Sequence, residues 1–347
     1  MGLATHLQLP DLVALQLQGW SDEALATAQI EGEILQLNSV RASAARRLGL
    51  ADGKKNKRDA RAEATLNLLQ GALQNSHRAL SHQTLFDWQA ALFPTGRSGT
   101  QKILTGAYRT HSEPMQIVTP RMGKPDLVHY QAPASEDVKR HMDLFIQWFN
   151  SSLGKQDGLV RAALAHLWFE TIHPFEDGNG RIGRALVEMA LAQDLQTEQR
   201  LWSLSQQIWH ERSAYYEQLQ SATSSANMDV TPWVQWFVAC IHKAADSSWG
   251  QMQSAMRKTR FWADLRELHL SLTPSQSKAI NKLYDAGPDG FSGGLSTEKY
   301  VNLCGVSRAT AYRELTALCE AGLLVQTGTG RGTRYQLHHS QMLGLAL

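Results

Sequence analysis

Apolar residues recur at three- and four-residue intervals along most of the first 270 positions, the spacing that lines one face of a helix. Leu25, Ile30, Ile34, Leu37 and Val40 make one stripe at roughly helical spacing. Ser21-Asp22-Glu23 ahead of it offers a start with acid in the first turn, so a helix over about 21–40 is expected. Gly49 and Gly53 break that pattern. Further helices are expected at Leu66–Leu80, Leu85–Leu92, Asp137–Asn150, Leu159–Ile172, Gly180–Ala192 and Ile208–Gln220, with Phe93-Pro94-Thr95-Gly96 as a stop. Thr231-Pro232-Trp233 opens another, Thr as N-cap and Pro in the first helical position. Between 96 and 133 the helical period fails. Glycines, prolines and the β-favouring Met115-Gln-Ile-Val-Thr119 predict a small hairpin there.

Near residue 270 the punctuation changes. Thr273-Pro274-Ser275 starts a helix through Tyr284, and a glycine-rich stretch from Gly287 to Gly294 follows. Ser296–Leu303 and Ser307–Ala321 read as helices around a turn at Gly305, and Leu323–Gln326 and Tyr335–Leu337 flank a Gly/Arg turn. Helix, helix-turn-helix, then hairpin is the order of a winged helix. The fold class expected is therefore mainly α. It comprises an N-terminal helical region (1–95), a helical core with one hairpin (96–270) and a winged helix domain (271–347).

Charge and composition narrow the partners. Over 347 residues, 34 Lys and Arg against 32 Asp and Glu leave a net +2, so no global field points to nucleic acid or a membrane. The basic run from Lys54 to Arg61 reads as a solvated loop. Cys240, Cys304 and Cys319 show no metal-type spacing; an odd count without an export pattern points to reduced thiols and a cytoplasmic protein. No apolar run reaches the length of a membrane span.

The candidate chemistry concentrates in His173-Pro-Phe-Glu-Asp-Gly-Asn-Gly-Arg-Ile-Gly-Arg184. His173 can serve as a base near neutral pH. Asp177 is a hard oxygen ligand suited to Mg²⁺. Gly178-Asn179-Gly180 can turn backbone N–H groups toward an anion at a helix start, and Arg181 and Arg184 share one side of that helix. Together they read as a nucleotide-phosphate site with its own base. His166, Glu170 and His173 would share a face on a continuous helix and suggest a metal, but Pro174 breaks the helix, and His166 reads as a core histidine. Of the adjacent Tyr215 and Tyr216, one is expected in the core.

The segment resembles the Fic-family signature HxFx(D/E)GNGRxxR, with every fixed position met. Thr27-Ala-Gln-Ile-Glu31-Gly32 resembles the family's inhibitory-helix motif, (S/T)xxxE(G/N). Gly106–Arg109 followed by Met115, Gln116, Ile117 and Val118 looks like its flap, expected over about 106–122, and Val128–Pro133, Ala165–Phe169 and Tyr215-Tyr216 look like further landmarks. The resemblance implies a Fic-type core with a winged helix behind it. It also implies an adenylyltransferase that moves AMP from ATP to a Ser, Thr or Tyr hydroxyl of a target protein or of itself. In that reading His173 is the base and Asp177 holds Mg²⁺. Gly178 and Gly180 offer backbone N–H groups, Asn179 orients the α-phosphate, and Ile182 and Gly183 belong to the nucleotide-binding segment. Arg181 takes the leaving pyrophosphate, Arg184 the γ-phosphate, and Tyr216 lies by the nucleotide. Glu31 pairs with Arg184 and inhibits; the same carboxylate could instead position water for AMP removal. A homodimer is also implied.

The rival reading is a DNA-binding regulator with a vestigial Fic core, using Ser307, Arg308 and Thr310 at the recognition-helix start and Arg331 and Arg334 on the wing. Near-neutral charge gives DNA little support, and the catalytic set is complete. Family members that phosphorylate carry lysine where this chain has Gly180, and a phosphocholine-transferring variant lacks the arginine kept here as Arg184. AMP transfer is thus the reaction implied, with UTP and GTP open as donors.

Overall fold

The structure is a computed structural model that describes residues 9–50, 59–113, 115–119, 127–199, 201–224, 229–286, 291 and 293–338. The chain divides into two compact units, one of Gln16–Ala245 and one of Met1–Leu15 with Asp246–Leu347. The helices, in chain order, begin with α1 (Leu9–Ile30), α2 (Leu37–Arg47), α3 (Ala60–Gln74), α4 (His82–Leu92) and α5 (Ser135–Ser151). They continue with α6 (Gly158–Ile172), α7 (Asn179–Leu195), α8 (Leu204–His210), α9 (Arg212–Ser224) and α10 (Thr231–Glu267). Two short hairpins interrupt them: β1 (Arg97–Ser98) with β2 (Gln101–Lys102), and β3 (Gln116–Thr119) with β4 (Leu127–Gln131).

The centre of the larger unit is α6 against α7. Both are buried on nearly every side, as helices without a polar face must be. Small residues let them approach: a Cβ on Gly183 would lie 2.6 Å from a Glu170 oxygen. Phe145, Phe149, Phe175, Trp233 and Phe237 close the core around them. A second cluster packs Trp20, Ala24 and Ala28 of α1 on α2, on Leu66, Leu69 and Leu73 of α3, and on Ala192 of α7.

The N-terminal helix departs from the expected one. α1 already includes Ser21, whose hydroxyl donates to the Leu17 carbonyl (2.6 Å), and it stops at Ile30 rather than continuing to 40. Glu23 does not mark a helix start. It is buried and accepts from the Ser203 hydroxyl (2.8 Å) and from the Ser205 backbone N–H (3.0 Å) and hydroxyl, where α8 begins. The helix stops because Gly32 adopts φ +75°, with Glu33 N–H on the Ala28 carbonyl (2.9 Å) and Gly32 N–H on that of Gln29 (3.0 Å). That pair of bonds is a Schellman closure with Gly32 as its left-handed residue. Ile34 consequently leaves the apolar stripe and stands 76% exposed.

Three smaller corrections follow. The helix expected over 208–220 is broken at Glu211 into α8 and α9. Thr231 is helical itself, its N–H capped by Asp229 (2.9 Å). The larger hairpin reaches beyond 122: Gln116 pairs with Gln131 and Thr119 with Leu127, with a register shift between Ile117 and Val118. Residues 120–126, and 54–58 of the basic run, lie outside the described set.

In the C-terminal unit, α11 (Pro274–Asp285), α12 (Thr297–Cys304) and α13 (Arg308–Glu320) precede antiparallel β5 (Leu324–Thr327) and β6 (Arg334–Leu337), the winged helix expected. A Thr273–Gln276 capping box opens α11, Ser296 caps α12 and Ser307 caps α13. Its core joins Ile280, Tyr300, Leu315 and Tyr335 to Phe261 and Leu265 of α10, residues upstream of position 270. No helix among the described residues is long and apolar enough to cross a membrane.

Candidate active site

α6 ends at His173, which takes a left-handed conformation (φ 48°, ψ 60°), uncommon for a side-chain-bearing residue. Its ring Nδ1 lies 3.4 Å from the Glu170 carbonyl oxygen. Burial pushes the imidazole down to about 4, so it is neutral at neutral pH. A neutral ring that donates Nδ1–H to a carbonyl keeps a free lone pair on Nε2, which is the state a base needs.

The backbone at His173 is braced by a residue outside the signature. Buried Arg109 donates from Nε to the His173 carbonyl (2.8 Å) and from one guanidinium nitrogen to those of Pro133 (2.6 Å) and Ile172 (3.4 Å). Its own N–H bonds the Pro174 carbonyl (2.9 Å). Pro133 follows β4, and the Tyr130 hydroxyl on β4 donates to the Thr171 carbonyl (2.9 Å), so the flap is tied to the end of α6. Met115 accepts from Ala132 N–H (2.9 Å) at the hairpin base; Gln116, Ile117 and Val118 form β3, and their side chains lie outside the described set.

The signature loop turns at Gly178, whose φ is +90° and where a Cβ would sit 2.9 Å from the Phe93 ring. Only glycine meets both conditions. α7 starts at Asn179, and a helix's first N–H groups have no acceptor of their own. The buried Asn179 side chain accepts from Phe175 N–H (2.9 Å) and donates one amide hydrogen to the Phe175 carbonyl (2.8 Å), so the residue also holds the loop. Asp177 accepts from Gly178 N–H (2.5 Å) and the Ser98 hydroxyl, with Arg181 at 3.5 Å. Its side chain remains 34% exposed. No cluster of three or more His, Cys, Asp and Glu suited to a metal exists among the described residues. A single open carboxylate fits Mg²⁺, which commonly takes one or two protein oxygens and completes its shell with phosphates and water.

The two arginines of α7 each meet the turn that follows α1. Arg184, 2% exposed, donates from Nε to the Thr27 hydroxyl (2.8 Å) and from one terminal nitrogen to the Thr27 carbonyl (3.2 Å) and Glu31 (2.8 Å). Glu31 lies over Gly180, where a Cβ would fall 2.2 Å from its carboxylate oxygen. Arg181, 6% exposed, bonds Glu33 at 2.8 Å and lies 5.0 Å above the Phe93 ring. Ile182 is buried in the core, and Gly183 is buried against Glu170 and His166 of α6. Of the two tyrosines, Tyr215 is the core residue, and Tyr216 is 48% exposed with its hydroxyl 3.3 Å from the Ile30 carbonyl, beside Glu31. His166 is buried, bonded to the Tyr215 hydroxyl (3.0 Å) and stacked on Trp233. Sequence reasoning passed over Ser98 and Glu33, and it placed Arg109 in the flap landmark without its bracing role. Ser98 has no local signature, whereas Glu33 lies one residue past the glycine of the Thr27–Gly32 motif.

The Fic/DOC family model matches residues 79–191. The C-terminal domain of transcriptional regulator DIP2311-like proteins matches 292–338, and a domain of unknown function, DUF4172, matches 1–50. The chain is 27% identical over 143 residues to a protein adenylyltransferase Fic of Nematostella vectensis, spanning 40% of this chain and 30% of that one. It is 29% identical over 165 residues to that of Drosophila virilis, spanning 46% and 32%. The chain thus spans about a third of the length of these curated relatives. A Fic family protein of Desulfovibrio desulfuricans shares the fold at TM-score 0.51 and 22% identity, covering 98% of this chain and 92% of its own. A Fic-domain signaling protein of Bacteroides thetaiotaomicron does so at 0.52 and 18%, covering 72% and 91%. Helical core, signature loop and matched segment coincide: residues 79–191 match the Fic/DOC family model, and the fold resembles that of the Fic-family structures.

Proposed function

We propose that the chain is a self-inhibited protein adenylyltransferase. The observation that carries this reading is the convergence, on one loop and helix start, of a neutral His173, the open carboxylate of Asp177 and two buried arginines held by Glu31 and Glu33. The hydroxyl oxygen of a target side chain attacks the α-phosphorus of ATP, and His173 Nε2 takes its proton. The bond from the α-phosphorus to the bridging oxygen breaks, and pyrophosphate leaves. N–H groups at the start of α7 stabilise charge on the α-phosphate, Arg181 receives the leaving diphosphate, and Arg184 receives the terminal phosphate. Asp177 would hold Mg²⁺, which supplies charge neutralisation between the phosphates. β3 offers its outer edge to an extended target segment by strand addition. In the resting state Glu31 pairs with Arg184 and places a carboxylate where the γ-phosphate needs a cation. Intact mass spectrometry after incubation with ATP and Mg²⁺ tests this: a gain of one AMP is expected, and an unmodified chain that also fails to modify any added protein would refute it. Loss of AMP from a pre-modified chain would instead assign the carboxylate to the reverse reaction.

A second reading concerns the C-terminal unit alone. Arg308 and Tyr312, four apart, share one exposed side of α13, and Tyr312 is 63% exposed. That face suits the major groove of duplex DNA.

A further inference from the structure

We propose that Glu33 is a second inhibitory carboxylate, masking Arg181 as Glu31 masks Arg184, with Gly32 as the hinge they share. This rests on reading the two arginines as phosphate ligands. The two contacts match in geometry: 2.8 Å from Glu33 to Arg181 and 2.8 Å from Glu31 to Arg184. They match in burial as well. The guanidinium side chains are 6% and 2% exposed, and the carboxylate side chains 28% and 29%. The cations are fixed in the wall of the site, and the anions are the parts able to turn into water.

One backbone device aims both. In the closure after α1, Glu31 is the last capping residue, Gly32 is left-handed, and Glu33 is the next residue, whose N–H returns to Ala28. The left-handed step brings side chains on either side of Gly32 to arginines three residues apart on α7. α1 itself is anchored by Glu23 on Ser203 and Ser205 and by Trp20, Ala24 and Ala28 in the second cluster. The mobile part needed for release is therefore the turn and not the whole helix. Glu33 also lines a groove with Arg61, Thr65, Phe93, Ser98 and Arg181, which gives its side chain somewhere to go.

The two contacts would block different parts of the nucleotide. Glu31 opposes the terminal phosphate through Arg184. Glu33 neutralises the cation that receives the departing diphosphate. Removing Glu31 alone then leaves half of the block in place.

The test uses the full chain and calorimetric titration of inorganic pyrophosphate with Mg²⁺, a probe that needs no transfer activity. The proteins are the parent, Glu33→Gln, Glu33→Ala, Glu31→Gln and the Glu31→Gln/Glu33→Gln double variant. Each Glu33 variant is expected to bind pyrophosphate about tenfold more tightly than the parent, the worth of one charge-assisted hydrogen bond. The double variant should exceed both singles. If both Glu33 variants bind as the parent does while Glu31→Gln binds more tightly, Glu33 is a strut and the proposal fails, with the reading of the site intact. If no variant, Glu31→Gln included, binds pyrophosphate, the arginines are not phosphate ligands and both fall.

Discussion

At the scale of single residues, the site turns on the charge state of a few buried groups. His173→Ala removes the base, and AMP transfer should fall by about 10²–10⁴-fold in single-turnover assays while ATP binding persists. Wild-type rates in that variant would remove His173 from the mechanism. Because burial holds this imidazole down to about 4, the acid limb of kcat/KM for the proposed transfer should lie well below the ordinary histidine value. Stability carries the same sign. Below about pH 6.5 the unfolded chain protonates His173 and His166, which the folded chain resists down to about 4 and about 3. Their contribution is whole above that range and is lost as pH falls through it. Glu170 runs the other way, raised to about 8 by burial first and by Glu31 second. Its contribution is whole below the ordinary carboxylate range and is lost as pH rises toward 8. Glu170→Gln should therefore raise stability at pH 8 more than at pH 5, read from denaturant melts at the two pH values. Glu31→Gln should speed AMP transfer. Glycine at that position is a cleaner variant than the sequence suggests, since Glu31 follows α1 and is not inside it.

At the scale of elements, the signature loop is held by residues that never face a ligand. Arg109 satisfies three carbonyls at once, and Arg109→Met should leave them without a donor. A loss of about 2 kcal/mol or more is expected in thermal or denaturant melts, with transfer activity falling further than stability alone explains. Gly178→Ala meets a left-handed backbone and the Phe93 ring together, and should cost about 1–3 kcal/mol. The strongly periodic α5 and the almost wholly apolar α6 and α7 were legible in sequence to within a residue or two at most ends, and so was the order of the winged helix. The end of α1 was not. Apolar spacing carried across Ile30 to Ile34 and Leu37, and only the left-handed demand of Gly32 shows that the chain turns there. Glu23 misled for a related reason: an acid read as a helix-start signal was a partner for α8, a tertiary contact that local pattern does not contain. The two bonds of the Asn179 amide to Phe175 belong to the same class of contact, which local pattern does not contain.

At the scale of the whole molecule, the two compact units divide the chain at Asp246, within α10. Every residue assigned to the proposed chemistry lies in the unit of Gln16–Ala245. A cut near Leu272, which the sequence suggests, would strip Phe261 and Leu265 of the core they share with α11–α13. A fragment of residues 16–245 should keep AMP transfer, whereas one ending at 272 should aggregate or bind hydrophobic dyes. A folded, inactive 16–245 fragment would show that the C-terminal unit completes the site. The DNA reading is tested on the intact chain by gel shift against random duplex. Binding that weakens steeply with added salt would support it, and none at low salt would end it.

The bare Cα of Gly180 links two distant positions in the history of the chain. A Cβ there would lie 2.2 Å from a Glu31 carboxylate oxygen. A lineage that added a side chain at 180 would have to turn that carboxylate aside and re-aim its bond to Arg184. Positions 31 and 180 should therefore vary as a pair among relatives.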